Sequence, residues 1–263
     1  KTLLSSLLVL WAIWVLFPLL NSGFVGDDAY NSQIRGALIS TDETILQRIY
    51  SEILGWVTGA GRIFPIMWIY LYGLYYYLSP SPLLVKSITL LMICIDVLLF
   101  SKIIRSLTKN ENLPYLCAFF VVLFFQFRAW HDPIMSFTFL MPMMCLFLFS
   151  SILFLIKYLE EKKKYYLICF IAIYFVALMT YEITYAFLFP YISIVLLHAN
   201  RKGGIKPLLI VILLTATHVL LARYIHLDHL GAGEGTTYAG GSQLSLDVMA
   251  GIHALYIQVT SAL

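Results

Sequence analysis

Charged residues are scarce in this chain: only 12% of its 263 residues are Asp, Glu, Lys or Arg, whereas 61% are hydrophobic. A soluble domain of ordinary composition carries about twice that charged fraction. The mean hydropathy is +0.87, and the apolar residues gather in long runs. The composition therefore predicts an integral membrane protein of all-α, polytopic architecture and excludes an ordinary soluble domain.

The cysteines of the chain lack the paired spacing of a metal site, and we expect no disulfide framework. All four cysteines fall within apolar segments, and we interpret them as small buried hydrophobic residues. They are Cys94, Cys117, Cys145 and Cys169. No basic stripe suited to nucleic acid occurs, so we expect no nucleic-acid partner. Internal repeats and low-complexity tracts are missing as well.

Seven apolar segments are predicted to cross the bilayer, which makes the lipid bilayer the first expected partner. Their approximate boundaries are residues 3–20, 83–100, 114–127, 134–156, 165–180, 183–197 and 207–222. Lysine and arginine gather in four groups, at Lys1 and within residues 102–109, 157–164 and 201–206. The positive-inside rule places all four groups on the cytoplasmic side.

Residues 1 and 102 are both predicted on the cytoplasmic side, so the chain must cross the membrane an even number of times between them. A further apolar stretch, residues 63–78, would make that number three if it crossed. It contains Pro65, Gly73 and several tyrosines, and tyrosine prefers the membrane interface. We predict a helix that lies in the outer leaflet or dips into it. The alternative, in which this stretch crosses and one basic loop is misplaced, stays open. Residues 45–57 have one apolar face and are predicted to form a helix resting on the membrane surface.

Two adjacent carboxylates, Asp27 and Asp28, follow the first predicted span and open an outer segment of residues 21–82. Neighbouring like charges at a lipid boundary repel each other and lose hydration, so such a pair indicates a use for a proton, a metal ion or a sugar hydroxyl. Cations predicted on the same side are mostly arginine, whose planar fork binds phosphate at two points. They are Arg35, Arg48, Arg62, Lys86, Arg128 and Arg223.

This order of features resembles the GT-C superfamily of membrane glycosyltransferases, and most closely bacterial O-antigen glucosyl transferases of the GtrII-like kind. The motifs that carry the resemblance are Gly26-Asp27-Asp28-Ala29-Tyr30, Gly61-Arg62 and His131-Asp132-Pro133. The resemblance implies a GT-C-like helical bundle over residues 1–223, with interfacial helices in the first outer loop. Residues 224–263 would form a glycine-rich outer loop and the start of a further helix, and we expect the chain to continue beyond both ends.

The resemblance also implies an activity: inverting transfer of a sugar from a polyprenyl-phosphate donor to a glycan or lipid acceptor. The site would face the periplasm or the exterior of a bacterial inner membrane. Asp27, with Asp28 as the second choice, would be the general base for the acceptor hydroxyl. Asp132 matches an acid that binds a divalent cation in some relatives, so Mg²⁺ or Mn²⁺ is the cofactor that the resemblance admits.

The remaining site residues are assigned to the two halves of the substrate. Donor phosphate would be bound by Arg62, Arg128, Arg223 and Lys86. Sugar would be contacted by His131, Asp132, Tyr181, Glu182 and Tyr238. Simpler roles stay open: helix capping for the acids, anchoring to head groups for the cations and packing for His218. Two other functions also stay open, namely a lipid-linked sugar transporter or flippase, and a polysaccharide polymerase or ligase.

Overall fold

The computed structural model describes residues 2–123, 134–135, 138–197 and 201–230, and within these ranges every regular element is a helix. The α-helices are α1 (Thr2–Leu16), α2 (Asp27–Asn31), α3 (Ile34–Thr41), α4 (Ile45–Ala60), α5 (Pro65–Leu78), α6 (Pro82–Thr108), α7 (Leu113–Leu123), α8 (Leu140–Glu161), α9 (Lys164–Leu178), α10 (Leu188–Leu197) and α11 (Arg201–Leu230). Two 3₁₀ segments, Phe17–Asn21 and Glu182–Phe187, follow α1 and precede α10. The all-α prediction is confirmed over the described residues.

Four helical segments in the described part are long and apolar enough to cross a membrane, which supports an integral membrane protein. They are Leu3–Asn21, Pro82–Thr108, Leu140–Glu161 and Gly203–Ile225. Three shorter apolar helices, Leu113–Leu123, Lys164–Leu178 and Glu182–Leu197, fall below that length. The prediction of seven crossings therefore stays a prediction.

Two helix boundaries differ from the predicted spans for clear physical reasons. The predicted span 83–100 continues to Thr108, because hydropathy marks only the apolar part of a helix that carries Lys102 and Arg105 at its end. The predicted span 134–156 becomes helical only at Leu140. Before that point, the backbone N–H of Thr138 donates to the carboxylate of Asp28 instead of to a helical carbonyl.

Helix α5 lies at the centre of one hydrophobic core, whose other members come from α3, the start of α6, the first half of α8 and the end of α9. Trp68, Tyr72 and Tyr75 are buried there. The expectation that the aromatic side chains of residues 63–78 lie at the membrane interface is wrong for these three, because protein covers them. Tyr77, which is 74% exposed, still fits it. A second core joins α6, α8, α9, α10 and α11.

Helix α4 begins with a capping box: the Thr44 side chain accepts from the Gln47 backbone N–H, and the Gln47 side chain accepts from the Thr44 backbone N–H. Its predicted lipid-facing side chains Ile45, Ile49 and Ile53 instead pack against the core around α5. The helix ends at Gly61, whose φ of 64° suits a residue without a Cβ. Arg62, the next residue, therefore lies beside the end of α9, where it contacts Glu182.

Candidate functional site

The two adjacent acids are divided by the structure. Helix α2 begins at Asp27, after Gly26 has turned the chain with φ of 60°. Because successive side chains on a helix point about 100° apart, one carboxylate enters the protein while the other stays outside. Asp28 is completely buried, whereas Asp27 is exposed.

The Asp28 carboxylate is bound by groups from two other segments. Lys86 Nζ, at the start of α6, lies 3.1 Å from Asp28 Oδ2. The Thr138 backbone N–H donates to Asp28 Oδ1 over 3.1 Å, and the Thr138 hydroxyl donates to Oδ2. Lys86 Nζ also donates to the Met135 carbonyl at 3.0 Å and to Thr138 Oγ1 at 2.7 Å. The charged pair is thus embedded in hydrogen bonds, as a buried ion pair must be.

Burial raises the pKa of the Asp28 carboxyl above its ordinary value, although Lys86, Thr138 and Tyr75 favour the ionised form. Burial, with a smaller contribution from the charge of Asp28, raises the pKa of the Tyr75 hydroxyl as well. The burial of this pair corrects the site roles predicted for Lys86 and Asp28. Lys86 is 0% exposed and does not reach lipid head groups or a donor phosphate. Asp28 is enclosed and not placed to meet a substrate hydroxyl.

A second polar cluster forms where α4 meets the end of α9. Arg62 Nε and Nη2 donate to the two carboxylate oxygens of Glu182 over 2.5 and 2.7 Å. The two side chains are 28% and 25% exposed. Burial lowers the pKa of Arg62, but the hydrogen bonds and electrostatic attraction from Glu182 and Tyr181 together outweigh it, and the net shift is upward. The Arg62 guanidinium is therefore charged, and two of its nitrogens are occupied by the Glu182 carboxylate.

Three aromatic rings surround this guanidinium. Its carbon lies 5.1 Å from the ring centre of Trp56, 4.7 Å from that of Phe64 and 5.5 Å from that of Tyr181. Such cation–π contacts hold an arginine plane in a defined orientation. The structure therefore brings together Arg62, Tyr181 and Glu182, which the sequence assigned separately to phosphate and sugar.

His218 of α11 completes the second cluster. Its Nε2 lies 2.8 Å from the Ile63 carbonyl, and its Nδ1 lies 2.8 Å from the Tyr185 hydroxyl. A carbonyl only accepts, so Nε2 carries the proton and Nδ1 accepts from Tyr185. Both ring nitrogens are satisfied, in agreement with the packing role predicted for His218, but the sequence did not reveal the partners, because nothing in it relates position 218 to position 63.

The two clusters lie toward opposite ends of α5. Asp28 faces Tyr75, while Arg62 comes just before the helix begins at Pro65. Ten residues of helix separate these points, about 15 Å along the axis at the usual helical rise. An extended substrate is needed to touch both places.

The other predicted site residues are not part of either cluster. Arg223 is exposed near the end of α11. Arg128, His131, Asp132 and Tyr238 lie outside the described residues. In the described ranges, no group of three or more His, Cys, Asp or Glu side chains is placed to hold a metal ion. The Mg²⁺ or Mn²⁺ expectation depended on Asp132 and stays a prediction.

Thr138 and Tyr75 were missed by the sequence-based prediction of the site. The one available signal was Thr138 itself, a polar residue within a largely apolar run. Comparison of the chain with protein-family models, curated proteins and solved structures found no match. The class supported by the described residues is a helical protein with four candidate membrane spans and two polar clusters, one at Asp28 and one at Arg62.

Proposed function

We propose that this protein is a GT-C-type membrane glycosyltransferase that moves a sugar from a polyprenyl-phosphate donor to a glycan or lipid acceptor. Its site would face the periplasm or exterior of a bacterial inner membrane. One observation carries the proposal: the acid pair is divided between an anchored carboxylate, Asp28, and an exposed one, Asp27. Anchoring of Asp28 fixes the position of Asp27, and the exposed carboxylate oxygens of Asp27 can then act as the general base.

Anchoring Asp28 orients the first turn of α2. A five-residue helix does not hold itself together in water, because helix nucleation is costly. The bonds from Lys86 and Thr138 to Asp28 supply the missing constraint. Asp27 then stands at a defined place on the surface, and a general base needs such placement within hydrogen-bond reach of the proton it removes.

The reaction needs one proton transfer and one exchange of bonds at carbon. The Asp27 carboxylate takes the proton of an acceptor hydroxyl. The hydroxyl oxygen forms a bond to the anomeric carbon of the donor sugar, while the bond from that carbon to the phosphate oxygen breaks. The electron pair of the broken bond leaves with the polyprenyl phosphate. Attack opposite the leaving group inverts the anomeric centre.

The Arg62–Glu182 pair suits sugar hydroxyls better than phosphate. Two of the guanidinium's donor nitrogens are already bound by a carboxylate, and the pair has no net charge to attract an anion. The carboxylate oxygens can still accept from hydroxyls, and the remaining guanidinium N–H groups can donate to them. This favours a sugar-binding role for Glu182, Tyr181 and Arg62 together, and leaves Arg223 and Arg128 as the phosphate candidates.

The proposal is tested with purified protein in liposomes that contain a polyprenyl-phosphate sugar with a radiolabel in the sugar. The expected result is loss of label from the lipid fraction and its appearance in an added glycan or lipid acceptor. Label that crosses the bilayer while still attached to lipid would instead identify a transporter. Label that grows into chains of repeated units would identify a polymerase.

Sidedness is tested separately. An Asp27→Cys variant in intact cells should react with a membrane-impermeant maleimide added from outside or into the periplasm. Protection of this position until the cytoplasm is opened would reject the proposed orientation of the site.

A further inference from the structure

The Arg62–Glu182 pair joins two segments that are 120 residues apart in sequence. Arg62 lies in the link between α4 and α5, and Glu182 opens the 3₁₀ segment after α9. A two-point contact between guanidinium and carboxylate requires both planes in register, which makes it sensitive to small displacements of either backbone. Something must hold these two segments at a constant separation.

His218 contacts both segments. Its Nε2–H donates to the carbonyl of Ile63, the residue directly after Arg62. Its Nδ1 accepts from the hydroxyl of Tyr185, which stands one 3₁₀ turn beyond Glu182. The imidazole is rigid and its two nitrogens are a constant distance apart, so a single ring ties together both carriers of the ion pair.

The position of His218 favours this role. The side chain is 4% exposed on α11, a helix that packs against both α4 and α9. Both of its nitrogens are used, with the carbonyl of Ile63 selecting the tautomer. The hydrogen bonds of His218 go to Ile63 and Tyr185 rather than to the guanidinium or the carboxylate of the pair. Apart from an electrostatic interaction with Glu182, its influence therefore passes through these two residues.

We propose that His218 is a positioning residue that holds the Arg62–Glu182 pair in its two-point geometry for binding the sugar. This inference rests on the proposed function, because it assigns the pair to sugar recognition. A positioning role for His218 can be distinguished from a packing role by experiment. A packing histidine affects only stability, whereas a positioning histidine affects substrate binding in concert with Glu182.

The first test compares three variants in the labelled-donor assay. His218→Leu removes both hydrogen bonds and should raise the KM for the sugar substrate roughly tenfold, the equivalent of about one hydrogen bond, with kcat nearly unchanged. His218→Gln offers one donor and one acceptor from a single amide and should recover most of that loss. Equal KM values for His218→Leu and the wild type would overturn the proposal.

Thr215→Val is the matched control. Thr215 is buried on the same helix, and its hydroxyl bonds to that of Tyr174 over 2.5 Å, so this variant also loses a buried contact to a neighbouring helix. It touches neither carrier of the ion pair. Thr215→Val should lower the melting temperature in detergent and leave KM unchanged. A rise in KM equal to that of His218→Leu would mean that loosening α11 is enough, and would reject a specific role for His218.

The second test does not depend on enzymatic activity. Melting temperatures are measured for wild type, His218→Leu, Glu182→Gln and the double variant. If His218 acts through the pair, its loss should cost less once Glu182 is already changed, so the two shifts should not add. Additive shifts would overturn the inference even if sugar transfer is observed. Absence of transfer by the wild type would reject the proposed function, while this cycle would still decide the role of His218.

Discussion

Lys86 Nζ lies 3.1 Å from Asp28 Oδ2 although the two residues are 58 positions apart, and their side chains are 0% and 1% exposed. The pair fastens the short helix α2 to the start of α6, a candidate membrane span. Because Asp27 is the neighbour of Asp28 on α2, this ion pair also fixes the position of the exposed Asp27. Of the two adjacent acids in the sequence, Asp28 thus has a structural role, and Asp27 is exposed and available for chemistry.

Breaking the pair from one side should be costly. Lys86→Met leaves the buried Asp28 carboxylate without its cation, and removing one partner of a buried ion pair typically costs about 3–5 kcal/mol of the free energy of unfolding. The double variant Asp28→Leu/Lys86→Met should recover part of that loss. Chemical unfolding in detergent measures both. Lys102→Met, an exposed lysine on the same helix, is the control and should change little. A double variant no more stable than Lys86→Met would contradict this account.

The pH dependence of stability should show which influence on Asp28 dominates. Because burial raises the pKa of Asp28, the folded protein holds that proton more tightly than the unfolded chain does. The resulting stability is complete below about pH 4, the ordinary pKa, and is lost as the pH rises through the folded pKa. The melting temperature of the wild type relative to Asp28→Asn should therefore fall between pH 4 and neutrality. A relative rise would show that attraction to Lys86 exceeds the cost of burial.

Asp27→Asn should abolish most sugar transfer without unfolding the protein. Loss of a positioned general base typically costs about 10²–10⁴-fold in rate, whereas an exposed carboxylate contributes little to folding. Initial rates and melting temperatures are the measurements. Asp42→Asn, an exposed acid in the same predicted outer segment, should retain wild-type rates. Transfer by Asp27→Asn at the wild-type rate would show that another group removes the proton.

Arg62 and Glu182 should behave as one unit in substrate binding. Arg62→Lys keeps the charge but loses the planar fork, and Glu182→Gln keeps the shape but loses the charge. Each should raise the KM for the sugar substrate, and the double variant should be little worse than either single variant. Arg48→Lys tests a similarly half-buried pair within α4, in which Arg48 Nη2 lies 2.7 Å from Glu52, and it should leave the KM almost unchanged. Independent effects of the Arg62 and Glu182 substitutions would assign them to different parts of the substrate.

Two glycines should respond oppositely to alanine. A Cβ at Gly204 would lie 2.5 Å from Val195 Cγ1, so Gly204→Ala forces α10 and α11 apart and should cost about 1–3 kcal/mol of stability. A Cβ at Gly73 meets nothing within 4 Å, and Gly73→Ala should stabilise α5 by about 0.5–1 kcal/mol. Thermal melting distinguishes the two. Adding Val195→Ala should rescue Gly204→Ala, and failure of that rescue would place the strain elsewhere.

Prediction from sequence succeeded where a property is local. Helices at the apolar segments follow from composition alone, and the end of the first candidate span at Asn21 agrees with the predicted end at residue 20. Prediction from sequence failed where a side chain contacts residues that are distant in the sequence. Lys86 has the pattern of a lysine near a membrane surface, and the tyrosines of α5 have that of an interfacial anchor. Protein covers Lys86, Tyr72 and Tyr75, because other helices pack around them.

By itself, the sequence determined that the chain would be helical and membrane-bound, because both properties depend on the hydropathy of neighbouring residues. Only the tertiary structure decided which acid of the pair is buried, that Arg62 is paired with Glu182, and that His218 reaches both of their segments. These contacts join positions 58, 120 and 155 apart. Their formation depends on how whole helices pack, and no local pattern of residues encodes that.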